Sequence, residues 1–172
     1  VPRLSKALDN VDVRAKAAAI IARIGPDAKA AVPALIGALK DENALTRCEV
    51  LFALAAIGPE AKEAVAAVID AVGDPEEDVR YAACFALGKI GPDAAAAKSA
   101  LQKNLAAEDE FLSMASAWAL ARIDPACEET CKKSVPILIR ALSQPEVAYA
   151  LHAAEALGTL GPLAKDAVDA LK

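Results

Sequence analysis

Aromatic residues make up only 3% of this chain of 172 residues, and histidine, tryptophan and methionine occur once each. Its core must therefore be built from Ala, Val, Ile and Leu, side chains small enough to let helices approach closely. A single histidine leaves no histidine cluster for a metal centre. The longest stretch without a charged residue, Phe111 to Ala121, is eleven residues and too short to cross a bilayer. No charged-then-apolar leader is visible, so targeting cannot be read and the compartment stays open, a soluble cytoplasmic protein being slightly favoured. Nor is there a basic excess: 19 Lys and Arg stand against 24 Asp and Glu, a formal net charge of −5. That balance argues against nucleic acid as the main partner.

What is present repeats. Ile24–Gly25–Pro26, Ile57–Gly58–Pro59 and Ile90–Gly91–Pro92 stand 33 residues apart (58−25 and 91−58). Ile123–Asp124–Pro125 follows after another 33, and Leu160–Gly161–Pro162 after 37. A fixed period of this size means one supersecondary unit stacked on itself. Within a unit, Ala28, Val32, Leu35, Ile36 and Leu39 form one apolar stripe at helical spacing, and Val50, Ala53, Leu54 and Ile57 form a second. The glycine ends a helix in a left-handed conformation, and the proline fits the first turn of the next. Asp74–Pro75–Glu76–Glu77 reads as an N-cap, a proline and an acid three after the cap.

The pattern predicts first helices near 2–9, 26–40, 59–73, 92–106, 126–143 and 162–172. Second helices are expected near 12–24, 44–57, 76–90, 109–123 and 146–160. The fold expected is all-α, a right-handed superhelix of five helix pairs and a partial sixth. A single array spans 1–172, with units near 1–25, 26–58, 59–91, 92–124, 125–161 and 162–172. Neither end has a polar capping unit, so a piece of a longer array is expected.

Residues 66–91 carry an Ile-x-x-Val helix, an acidic turn and then Val79–Arg80–x–x–Ala83–x–x–Ala86–Leu87–Gly88–x–Ile90–Gly91. Residues 33–58 carry a looser form of the pattern, with Thr46 in place of Val. This resembles the short-repeat HEAT-like group named after phycobilisome lyase subunits, and the resemblance covers essentially the whole chain. It implies a solenoid whose second helices line the concave surface. It also implies that a chromophore lyase-like subunit is a possible role, because such repeats serve many partners.

Comparison of the units with one another suggests a ladder. The turn column holds Asp41, Asp74, Ala107 and Gln144, and a column on the second helix holds Arg47, Arg80, Ser113 and Ala150. Acid and arginine occur together in units two and three and disappear together afterwards. An acid–arginine pair tying the turn to a neighbouring second helix is expected, with Arg14 a shortened version. Its loss predicts looser or differently angled stacking toward the C-terminus.

All six aromatics lie on second helices. At about 100° per residue, Phe52, Phe85 and Trp118 point roughly 150° from the core direction. Leu45, Tyr81, Phe111, Met114 and Leu151 share that outer face. An exposed apolar ridge of this kind marks a recognition surface, and Phe, Trp and Met are typical interface anchors. Two other readings stand beside it: sideways packing of the rings against neighbouring second helices, and self-association through the ridge or the uncapped ends. Lys16, Arg23, Glu49, Lys89, Arg122 and Glu155 form a rim of mixed sign.

Catalytic chemistry finds no footing. Cys127 and Cys131 fall in the unit lengthened by the four-residue insertion, where an unbroken helix would bury both as small hydrophobes. A disulfide or a metal site is the alternative. His152 and Glu155 share a face but supply two ligands at most. No nucleophile motif and no phosphate-cradling glycine loop is present, and no cofactor is expected. The expected role is a non-catalytic scaffold holding a protein or peptide in an apolar, aromatic groove. A lyase-like subunit and a structural spacer are the alternatives.

Overall fold

The computed structural model describes residues 1–145 and 147–167. Among the described residues ten α-helices follow one another: α1 (Pro2–Ala7), α2 (Arg14–Ile24), α3 (Val32–Ala38), α4 (Ala44–Ile57), α5 (Val65–Ala71), α6 (Glu77–Ile90), α7 (Lys98–Asn104), α8 (Glu110–Ile123), α9 (Glu128–Ala141) and α10 (Val147–Leu160). The even-numbered helices are the expected second helices, and they form an inner row. Consecutive members of the row pack on one another most extensively, while contact between α8 and α10 is thinner. The chain is an all-α solenoid. The expected last helix near 162–172 is a 3-10 segment over Gly161–Ala167, and the remainder lies outside the described residues.

The first helices differ from expectation in one regular way. The three over 26–40, 59–73 and 92–106 open as 3-10 segments (Gly25–Ala31, Gly58–Ala64, Gly91–Ala97) and become α-helical only in their second halves, whereas α9 is α-helical from Glu128. The cause is the spacing of the buried small residues. Gly25, Ala28 and Ala31 recur every third position, as do Gly58, Ala61 and Ala64, and all are buried. Side chains three apart align in a 3-10 helix, so this geometry turns those three small residues of each segment inward together. The proline of Gly-Pro falls in the first turn, where its missing N–H costs nothing. Gly25, Gly58 and Gly91 have φ of 71°, 68° and 76°, so a side chain at these turns would be strained.

Two cap expectations are corrected. Asp74 does not cap α6; it accepts the Glu76 N–H at 3.0 Å, and the helix begins at Glu77. Cys127 is not inside a helix but extended at the N-cap of α9, where Thr130 Oγ1 donates to its Sγ at 3.2 Å. All four cysteines are free thiols.

The acid–arginine ladder is present and runs between units. Arg47 donates twice to Asp74 of the following turn, at 2.8 and 2.9 Å. Its remaining nitrogen donates to the Asp41 and Glu42 carbonyls of its own turn, at 2.9 and 3.0 Å. Arg14 makes the same connection to Asp41 and to the Leu8 carbonyl. Arg80 binds the Asp74 and Pro75 carbonyls and lies 4.0 Å from Asp109. Asp109 was hidden in the sequence because it stands two residues beyond the turn column. It caps α8 through the Leu112 N–H at 3.0 Å and accepts the Tyr81 hydroxyl at 2.7 Å. Ser113, in the arginine column, only reaches back to the Leu105 carbonyl at 3.1 Å, and the ladder ends there.

Candidate functional site

The inner row of helices is apolar on the face that the aromatic side chains were expected to occupy, and the surface there is a groove. Its volume is about 520 Å³, and it runs across α4, α6, α8 and α10. Leu45 and Phe52 form one wall from α4, with 65% and 46% of their surface exposed. Tyr81 and Phe85 from α6 and Met114 and Trp118 from α8 form the floor. Tyr149 and His152 of α10 close the far wall.

The structure thus brings Leu45, Phe52, Tyr81, Phe85, Met114 and Trp118 to one depression. Phe111 borders a smaller hollow between α8 and α9, and Leu151 is exposed and does not line the groove. The expected exposure is corrected at two positions. Trp118 is only 2% exposed and Met114 is buried. The helical wheel gave the direction of the Trp118 side chain, but its exposure depends on the neighbours. Phe85 stacks on the indole at 5.2 Å with an interplanar angle of 13°. His152 meets its edge at 5.6 Å, and the Lys89 and Arg122 cations stand 5.9 and 5.3 Å from its centre. Trp118 therefore belongs to the sideways packing between second helices and to the groove floor at once.

Gly88 is the residue that sequence reasoning missed. A Cβ there would stand 2.2 Å from Trp118 Cζ3, so the six-membered edge of the indole closes on the bare backbone of α6. The corresponding position of α4 is Ala55 and that of α8 is Ala121. The available signal was a helix-interior glycine 30 residues before the one tryptophan (118−88). Because the Cε3–Cζ3–Cη2 edge faces Gly88, the Nε1 edge faces away from α6. Among the described residues Nε1 is buried and without a hydrogen-bond partner, as is Nδ1 of His152.

Electrostatically the groove is quiet. Asp78 is the one formally charged side chain lining it among the described residues. Tyr81 is held protonated, because burial and the bond it donates to Asp109 both push its pKa up. Burial likewise raises the Cys48 thiol. No group of three or more His, Cys, Asp or Glu side chains arranged to hold a metal occurs among the described residues. No helix among them is long and apolar enough to cross a membrane.

A row of antiparallel helix pairs whose inner helices line an apolar groove defines the helical repeat solenoids, a class typical of protein-interaction scaffolds. The chain belongs to the family described as HEAT repeats, whose model matches residues 1–73 and 65–132. Among solved structures it is similar to an engineered protein at 23% identity, covering 98% of this chain and 82% of that one with a TM-score of 0.68. A designed armadillo repeat protein in complex with the peptide (KR)4 is 22% identical, covering 91% and 80%, with a TM-score of 0.67. The complex of CpcE and CpcF of phycocyanin lyase from Nostoc sp. PCC7120 matches at 24% identity, covering 90% and 96%, with a TM-score of 0.60. These likenesses are of fold. No curated protein matches the chain in sequence.

Proposed function

We propose that the chain is a non-catalytic binding module that holds a peptide segment of a protein partner in the groove across α4, α6, α8 and α10. The observation that carries this reading is the groove itself: about 520 Å³, apolar, aromatic-floored and flanked by exposed Leu45 and Phe52. Apolar surface left facing water on an otherwise well-packed protein is stabilised when a partner covers it. A structural neighbour in complex with a peptide supports the same reading by analogy of fold.

Panning a random dodecapeptide display library on the chain tests it. Peptides should be selected by the wild type and lost from Leu45→Glu and Phe52→Glu variants, whose substituted positions are exposed enough to leave the fold intact. Failure to select any peptide that depends on Leu45 and Phe52 would refute the reading.

A lyase-like subunit is the second reading, favoured by the groove's volume, which suits a small molecule, and by the phycocyanin lyase neighbour. Titration with a bilin separates the two. A tetrapyrrole held in the groove would change its visible absorbance, and Phe52→Glu would remove the change.

A further inference from the structure

The two long sides of the groove, at the N-terminal and the C-terminal ends of the inner helices, differ in charge, and the difference is not explained by the fold's own ion pairs. The ladder acids Asp41 and Asp74 are fully engaged, and Asp109 is held by Tyr81 and the α8 cap. The acids at the start of the inner helices are different. Glu42, Glu76, Glu77, Asp78, Glu108 and Glu110 are all exposed, and none forms an ion pair among the described residues. They sit together because every inner helix starts at the same side of the groove, so that one wall is acidic from α4 to α8. Of these, Asp78 lines the groove itself beside Cys48 and Tyr81. The opposite wall is formed by the C-terminal halves of the same helices, where Lys89 stands over the Phe85 ring at 5.3 Å. Eleven residues of helix place Lys89 about 16 Å from Asp78.

An acid in the first turn of a helix is favoured by the dipole, which accounts for a carboxylate near Asp78 but not for its place in an apolar groove with no cation beside it. A cationic side chain delivered by a partner would meet Asp78 while its neighbours fill the floor. An acidic partner would leave Asp78 and the acidic wall facing like charge.

We infer that the groove's occupant is a basic amphipathic peptide: apolar side chains on the Phe85–Trp118 floor, and a lysine or arginine against Asp78 and the acidic wall. This rests on the groove reading above and specifies its partner. The chain's net charge of −5 favours the same sign at long range.

Each peptide selected by panning is resynthesised with its charged positions set to Lys, Gln or Glu, labelled with fluorescein and titrated by anisotropy. Against the wild type the Lys form should bind about threefold to tenfold more tightly than the Gln form, and the Glu form most weakly. Raising salt from 50 to 500 mM should shrink the Lys advantage. Asp78→Asn should erase most of it, and Asp78→Lys should invert the order, with circular dichroism confirming an unchanged fold. If the three forms bind alike, or the order survives in Asp78→Lys, the charge inference falls while the groove reading stands. If no peptide depends on Phe52, both fall. Concentration-dependent dimerisation abolished by Phe52→Glu would make a second copy the occupant and would also overturn the inference.

Discussion

Trp118 rests its six-membered ring on the backbone of Gly88, one inner helix away, where a Cβ would stand 2.2 Å from Cζ3. Gly to Ala inside a helix normally stabilises by about 0.8–1.0 kcal/mol. Here the methyl would force the ring outward, and overpacking of this kind costs about 1–3 kcal/mol. Gly88→Ala should therefore be neutral to destabilising by up to about 2 kcal/mol in urea unfolding. The same change at Gly158, which has open space around it, should be neutral or stabilising.

The single tryptophan makes the burial of this ring directly measurable. Its emission should be blue-shifted and poorly quenched by iodide in the free protein, because only 2% of Trp118 is exposed. In Gly88→Ala the emission should move to the red and quenching should rise. Red-shifted, freely quenched emission from the wild type would contradict the packing of Phe85 and His152 on the indole.

Substitutions across the inner row should sort by burial and not by hydrophobicity. Leu54→Ala and Leu87→Ala, at fully buried positions, should each cost about 2–5 kcal/mol by opening a cavity. Trp118→Glu should cost at least about 3 kcal/mol, since it removes a buried ring and leaves a carboxylate without a partner. Phe52→Glu, at a position 46% exposed, should stay within about 1 kcal/mol of the wild type by the same unfolding measurement.

The ladder predicts the acid limb of stability. Asp41 titrates below the ordinary carboxylate value because it accepts the Asn43 N–H and the Arg14 guanidinium. Burial alone would raise Asp74, but the Arg47 guanidinium and the Glu76 N–H outweigh it and lower its pKa. A carboxylate depressed in the folded state contributes stability that is complete above its unfolded pKa, near 4. That contribution is lost as pH falls through the lower folded value. Urea midpoints should therefore decline below about pH 4, more shallowly in Asp74→Asn. At neutral pH Asp74→Asn should cost about 1.5–3 kcal/mol, because Arg47 keeps its charge in a largely enclosed site.

The thiols should react in a set order. Cys127 accepts hydrogen bonds from the Thr130 hydroxyl and backbone, which lower its pKa, and it is partly exposed. Burial pushes Cys84 up to about 11. Iodoacetamide at neutral pH should alkylate Cys127 first and Cys84 last, as peptide mapping would show. Thr130→Val should slow Cys127 selectively. Equal rates at the two sites would contradict the extended N-cap geometry of Cys127.

The sequence by itself determined the helices, their pairing and the face that each turns to the core. Those properties follow from local periodicity and punctuation: Ile57–Gly58–Pro59 specifies a break wherever it occurs, and Val50, Leu54 and Ile57 specify an inward stripe. The columns Asp41/Asp74 and Arg47/Arg80 were legible as a ladder for the same reason, since repetition aligns them. Tertiary structure decided what a wheel cannot encode, namely what stands beside an outward-pointing side chain. Phe52 and Trp118 occupy the same column, yet Phe52 faces open groove while Trp118 is enclosed by Gly88, Phe85 and His152 from two other helices. Asp109 joined the ladder by space and not by column, because Tyr81 and Arg80 reach it across the helix row. Direction is a property of one helix; burial belongs to the three that meet there.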